Sequence, residues 1–223
     1  YVDDQSPWYG AYGDKLAQTP MIDAIAEQGV LFENAYAPAP VCAPSRSTII
    51  TGNYAIRIGA HDMRSGRVPE NQILLPDGVT PLPVLFRQAG YETYNAGKDD
   101  FNFTYDRGDL YSIRDLAAEK TNKKSYKGSQ GSGDWSQVSS EKSFFGQMAV
   151  SGGKATDDQL SDRLKSWGYR PISPEEVSVP AQYPDILPVR KQIADHYNSI
   201  MQTDHEVGEQ IARLKADGLL QRT

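Results

Sequence analysis

What this sequence has little of narrows it first. Among its 223 residues there is one cysteine, Cys42, so neither an intramolecular disulfide framework nor an all-cysteine metal site can be built. Basic residues are in the minority: 23 Lys and Arg stand against 29 Asp and Glu, a formal charge of −6 with a pI near 5.1. That excludes a general nucleic-acid binder, which needs clustered cations to replace phosphate counterions. No apolar run approaches the roughly 18 residues that a bilayer-spanning helix requires. Nor is there an initiator Met or a basic signal region at the start. Tyr1-Val2 reads as the tail of a buried strand, and Gly218 to Thr223 passes a helix-stopping glycine and begins another segment, so both ends read as cut from a longer polypeptide. The remainder, 39% hydrophobic and 23% charged, is ordinary globular composition, long enough for one domain or one and a half.

The pattern along the chain alternates. Thr19-Pro20 opens a helix with Met21, Ile22, Ile25 and Ala26 on its apolar face, and Gly29 closes it. Val30 to Phe32 reads as a short strand, Pro81 to Arg87 as a second helix ended by Gly90, and Tyr91 to Ala96 as a strand. Ser143 to Val150 is another strand candidate. Val189 to Asp217 is the longest helix, with Ile193, Tyr197, Ile200, Val207, Ile211 and Leu214 at helical spacing. Residues 120–140, rich in Lys, Ser and Gly, read as a surface insertion or loop, and the proline-rich stretch from Pro171 to Pro188 as an extended connector. Helices alternating with short apolar strands predict an α/β sandwich around a largely parallel, mixed sheet.

Three segments concentrate the chemistry. Cys42 lies in Pro40-Val41-Cys42-Ala43-Pro44-Ser45-Arg46, where Pro44 suits the first turn of a helix. Cys42 then sits at a helix N-terminus, whose amides and dipole favour an anion or a nucleophile that attacks one, with Arg46 one turn on. A small buried cysteine beside a structural arginine is the plain alternative. Asp3-Asp4 is an adjacent carboxylate pair that repels itself unless a cation neutralises it, and such hard oxygen donors suit calcium or magnesium; a solvated turn is the alternative. Gly97-Lys98 ends the strand after Gly90-Tyr91 and puts a cation at its tip, or simply a surface lysine. His61 can line a pocket rim or cap a turn, while His196, His205 and Asp204 lie on the long helix, where packing is the default.

Together, Cys42-x-Pro44-Ser45-Arg46 with Thr51-Gly52, the preceding Asp3-Asp4 and the Gly97-Lys98 element resemble the type I sulfatases of the alkaline phosphatase superfamily, over nearly the whole chain. The resemblance implies an N-terminal portion of a catalytic domain with an alkaline phosphatase-like fold. It implies that a formylglycine-generating maturation enzyme oxidises Cys42 to formylglycine, the nucleophile on sulfur. Arg46 and Lys98 are then catalytic, and Asp3, Asp4 and the modified Cys42 hold Ca2+, with Mg2+ possible and further ligands later in the polypeptide. Lys154, His61 and Asp100 are candidate substrate contacts; Asp100 stands where many relatives have a histidine, which puts that histidine's usual role in doubt. The expected substrate is a sulfated carbohydrate or small sulfate ester, and the expected setting periplasmic, secreted or lysosomal. Two rivals stay open: a phosphonate or phosphate monoester hydrolase of the same superfamily, and a non-catalytic sugar- or protein-binding module with an unmodified Cys42.

Overall fold

Proline and glycine set where helices begin and end in this chain. In the computed structural model, which describes residues 1–68, 70–114, 130–154 and 157–223, helix α1 (Pro20–Gln28) starts on its proline and stops at Gly29. Helix α2 (Cys42–Thr51) is closed by Gly52 in the left-handed conformation, φ 63°. The described residues form two compact units: Tyr1 with Ala35–Ala149, and Val2–Asn34 with Val150–Thr223.

The first unit holds α2, the short hairpin β1 (Arg67–Val68) and β2 (Asn71–Gln72), helix α3 (Leu82–Gln88), strand β3 (Glu92–Lys98), helix α4 (Arg107–Leu110), and strands β4 (Gln130–Ser132) and β5 (Phe144–Met148). Strand β3 is central: it pairs parallel with β5, Glu92 opposite Phe144 through Ala96 opposite Met148, and antiparallel with β4. Thr93, Tyr94 and Asn95 are all buried, as expected of a strand covered on both faces. Ile50, Phe101, Phe103, Leu110 and Tyr111 form the core, so α2 and the residues after β3 share one apolar cluster.

The second unit is helical: α1, α5 (Leu160–Ser166) and the 30-residue α6 (Leu187–Ala216). Leu160, Leu164, Tyr169, Ile172, Val177, Ala194 and Met201 form its core. Asp204 on α6 has no solvent exposure and caps α1 from outside that helix. Its carboxylate accepts the amides of Met21 (3.3 Å) and Ile22 (2.8 Å) and the Tyr169 hydroxyl (2.8 Å). Burial nevertheless pushes its pKa up. None of the described helices is long and apolar enough to cross a membrane.

The mixed sheet, α1, α3, β3, β5 and the long helix follow the sequence pattern, and Pro171 to Ile186 is non-helical until α6 begins at Leu187. Val30 to Phe32 departs from it: the segment is exposed and forms no strand, because no neighbouring strand among the described residues supplies a ladder. Tyr1 and Val2 are likewise outside any strand, although the Tyr1 nitrogen donates to the Met148 carbonyl at the end of β5 (2.6 Å). Of residues 120–140, 120–129 lie outside the described residues. Gln130–Ser132 is the edge strand β4, and Trp135 just after it is buried, capped in place by Asp134.

Tyr111 offers a test of the first unit. Its ring is 1% exposed, its hydroxyl donates to Gln147 Oε1 (3.1 Å), and burial, chiefly, raises its pKa far above that of a free tyrosine. The unfolded chain releases this proton near pH 10 while the fold retains it, so stability present below pH 10 is lost as pH rises above it. Replacing Tyr111 with Phe should flatten that alkaline decline by about 1.4 kcal/mol per pH unit in denaturant unfolding followed from pH 9 to 11.5.

Candidate active site

Cys42 is the first residue of α2, preceded by Val41 in extended conformation, whose side chain cannot cap the helix. Its thiol is free and half-buried at the positive end of the helix dipole. Downstream hydroxyls fold back onto their own helix: Ser47 onto the Ala43 carbonyl (2.7 Å), Thr48 onto Pro44 (3.0 Å) and Thr51 onto Ser47 (2.7 Å). Arg46, one turn in, is 4% exposed; its Nη1 donates to the Lys98 carbonyl (2.7 Å) and its guanidinium lies 5.1 Å from the Tyr1 ring centroid. A buried cation is tolerated when such partners replace water. Arg46 thereby ties α2 to the tip of β3.

That tip turns sharply. Gly97 has φ 99°, and a Cβ there would lie 2.9 Å from the Ala149 Cβ, so only glycine suits the position. Two adjacent carboxylates follow, Asp99 and Asp100, both without solvent exposure. Asp99 is bonded by Asn95 Nδ2 and Arg107 Nη1 and accepts from the Tyr105 hydroxyl (3.2 Å). Asp100 takes two cations: Lys98 Nζ at 3.0 Å from Oδ2, and Arg64, whose Nε reaches Oδ1 (3.3 Å) and Nη2 reaches Oδ2 (3.4 Å). The Asp100 hydrogen bonds raise the pKa of Arg64, burial opposes this, and the charges of Asp100 and Cys42 add to the rise.

Arg64 and Asp100 both adopt left-handed backbone conformations, φ 59° and 54°. Asp tolerates this region; for Arg it costs on the order of 1–3 kcal/mol, which surrounding contacts must offset. Buried Asn102 provides them. Its Oδ1 accepts from the Gly66 amide (3.1 Å), its Nδ2 donates to the Ala60 (3.2 Å) and Asp62 carbonyls, and its own amide donates to Ser47 Oγ on α2 (2.7 Å).

In the second unit, Asp3 and Asp4 run against Gly152-Gly153. The Gly153 amide donates to the Asp3 carbonyl (3.0 Å), and a Cβ on either glycine would overlap the carbonyl oxygen of Asp3 or Asp4. His196 staples the two segments: its Nε2 accepts from the Ser6 amide (3.1 Å), which leaves Nδ1 to donate to the Gly153 carbonyl (3.2 Å). Asp4, at φ 59°, pairs with Lys154 Nζ at 2.9 Å. The carboxylate therefore already draws a cation, and the donor type of Asp3 and Asp4 fits calcium or magnesium. Among the described residues no third His, Cys, Asp or Glu joins them in a group that could hold a metal ion.

The family model described as Sulfatase matches residues 2–223. The chain belongs to the sulfatase family. Among curated relatives, an ulvan-active sulfatase from Formosa agariphila is 25% identical over 269 aligned positions that cover all of this chain and 41% of its own length. The iduronate 2-sulfatase of Mus musculus is 40% identical over 98 residues, 44% of this chain and 17% of the relative. The chain thus spans less than half the length of these sulfatases. Among solved structures, a candidate sulfatase, yidJ, from Bacteroides fragilis superposes with a TM-score of 0.66 at 18% identity, covering 98% of this chain and 58% of that one. The sulfatase-like, alkaline phosphatase-type fold follows.

Within this sulfatase family chain, Cys42, Arg46, Lys98 and Asp100 fall in the first unit, linked through the Lys98 carbonyl and the Lys98–Asp100 ion pair. His61 lies in the Asn102-clamped loop with its side chain half exposed and its Nε2 3.9 Å from Asp62. Asp3, Asp4 and Lys154 fall in the second unit. Sequence reasoning missed Arg64 and Asn102, since neither sits in a motif. The one available signal was the adjacent pair Asp99-Asp100 after an apolar strand, which demands cations from elsewhere. An Arg46→Ala variant leaves the Lys98 carbonyl and the Tyr1 ring without their partner and should lose about 1–3 kcal/mol in denaturant unfolding.

Proposed function

We propose that this chain forms part of a sulfate ester hydrolase acting on a sulfated carbohydrate, with the nucleophile generated at position 42. The observation that carries the reading is the helix-first placement of Cys42 with Arg46 buried behind it and bonded to the carbonyl of Lys98. Sulfated sugars enter because the relatives include enzymes named for ulvan and iduronate.

The α2 amides and the Lys98 ammonium would receive the sulfuryl oxygens, whose negative charge persists through transfer. Arg46 holds the start of α2 and the end of β3 in register, so that the nucleophile and Lys98 face the same group. Oxidised to formylglycine by a maturation enzyme, the Cys42 side chain supplies, as its hydrate, a hydroxyl nucleophile for sulfur. Asp3 and Asp4 would hold a calcium or magnesium ion, which would supply Lewis-acid charge. Overall, the ester S–O bond is broken, the alcohol leaves with a proton from water, and water oxygen ends in sulfate. A periplasmic, secreted or lysosomal setting accompanies this reading.

The test is direct. In the full-length protein from a host with the maturation enzyme, the peptide containing Cys42 should weigh about 18 Da less than its thiol form, sulfur being replaced by oxygen and two hydrogens lost. Cys42→Ala should lower aryl sulfate turnover by about a thousandfold or more, and chelation of divalent cations should suppress it in the unmutated protein. An intact thiol with full turnover, or faster hydrolysis of aryl phosphonate than of aryl sulfate, overturns the reading.

A further inference from the structure

The reaction as drawn leaves one cation beside the nucleophile without a task. Arg64 is held in a left-handed backbone conformation by the Asn102 clamp, and its guanidinium forks onto Asp100, a carboxylate with no solvent exposure. If neutralising Asp100 were its whole purpose, Lys98 at 3.0 Å already serves. Arg64 brings a second cation to the same carboxylate. A guanidinium has five N–H donors; the fork onto Asp100 uses two of them. The side chain is 38% exposed, so the other donors have access to solvent, and the Cys42 sulfur lies within electrostatic reach.

Resting on the sulfatase reading above, we infer that Arg64 is a substrate-binding residue, its free N–H edge taking an anionic oxygen of the sulfuryl group beside Lys98, with Asp100 as the positioning residue that aims both cations. The geometry suits the task. A carboxylate bonded on one edge of a guanidinium fixes its plane, and a pre-aimed planar donor loses less freedom on gripping an oxyanion than a loose lysine does. Asp100, sealed from solvent, does not meet the substrate; it acts through Lys98 and Arg64. Because its Oδ2 is shared by Lys98 Nζ and Arg64 Nη2, the two cations are brought together at one carboxylate oxygen, close enough to serve a single tetrahedral anion.

The experiment compares Arg64→Gln, Arg64→Lys and Asp100→Asn with the unmutated full-length protein, each checked for fold by circular dichroism. Binding of inorganic sulfate is measured by titration calorimetry, and kcat and KM are measured with an aryl sulfate. Arg64→Gln is expected to weaken sulfate binding and raise KM about tenfold or more with a smaller change in kcat. Arg64→Lys, which keeps the charge but lacks the fork, should recover only part of the binding, and Asp100→Asn should weaken it while leaving both cations present. If Arg64→Gln binds sulfate as tightly as the unmutated protein with KM unchanged, the inference falls. Should Arg64→Gln fail to fold, Arg64→Lys decides: unmutated affinity and KM in that variant overturn the inference, and weakened sulfate binding sustains it. A protein that binds sulfate through Arg64 yet turns over no sulfate ester sustains this inference while overturning the hydrolase reading.

Discussion

Two carboxylates in succession, Asp99 and Asp100, enter the protein interior directly after β3, and much of the first unit is arranged to let them. An ionised carboxylate removed from water costs several kcal/mol unless charge and hydrogen bonds replace the lost solvent. The two draw different partners. Asp99 draws Arg107 from α4, Asn95 from β3 and Tyr105; Asp100 draws Lys98 from the strand tip and Arg64 from the loop before β1. Each demand pins a different segment. The left-handed backbone at Arg64 and Asp100, hard to account for locally, follows from bringing loop and strand end onto one carboxylate. Arg46 closes the circuit by binding the carbonyl of Lys98 itself, so the charge arrangement after β3 and the first turn of α2 are set by one another.

Much of this was legible in the sequence. Cys42 with Pro44 announces a helix N-terminus, because proline suits the first turn of a helix. The Gly97-Lys98 tip is readable too: an apolar strand ending in glycine and lysine delivers a cation to one spot. Asp100 was read as a substrate contact, and in the fold its carboxylate is sealed behind Lys98 and Arg64. Arg64 could not be foreseen, since it lies 36 residues from Asp100, with no periodicity to betray the pairing. Val30 to Phe32 failed for the complementary reason: strand propensity is local, whereas a strand exists only when a neighbour completes its ladder.

The second unit solves a similar problem with one carboxylate. Asp204 is sealed inside α6's contact with α1, yet its partners are two amides and a tyrosine hydroxyl and no cation. Helix-terminal amides carry partial positive charge, which is why a lone carboxylate can remain there. The compensation is incomplete: burial still raises its pKa, so the cap contributes helix placement more than electrostatic stability. His196 shows the same economy, since a single neutral ring accepts from Ser6 and donates to Gly153, fixing the Asp3-Asp4 segment without adding charge beside two carboxylates. The segment's own cation is Lys154, 77% exposed and held to Asp4 by a contact that water competes for.

Two styles of neutralisation also meet within the first unit. Asp99 and Arg107 form a buried ion pair, and such a pair is inert: moving either member would strand the other in low dielectric. Asp100 instead holds two cations, Lys98 and Arg64, that keep part of their surface in solvent, where an anion can meet them. On the proposed function, a monoanionic sulfate ester would be drawn to Lys98 and Arg64 and to the start of α2, whose dipole has the same preference. The adjacent carboxylates thus divide the labour, Asp99 fixing the scaffold and Asp100 holding two partly exposed cations.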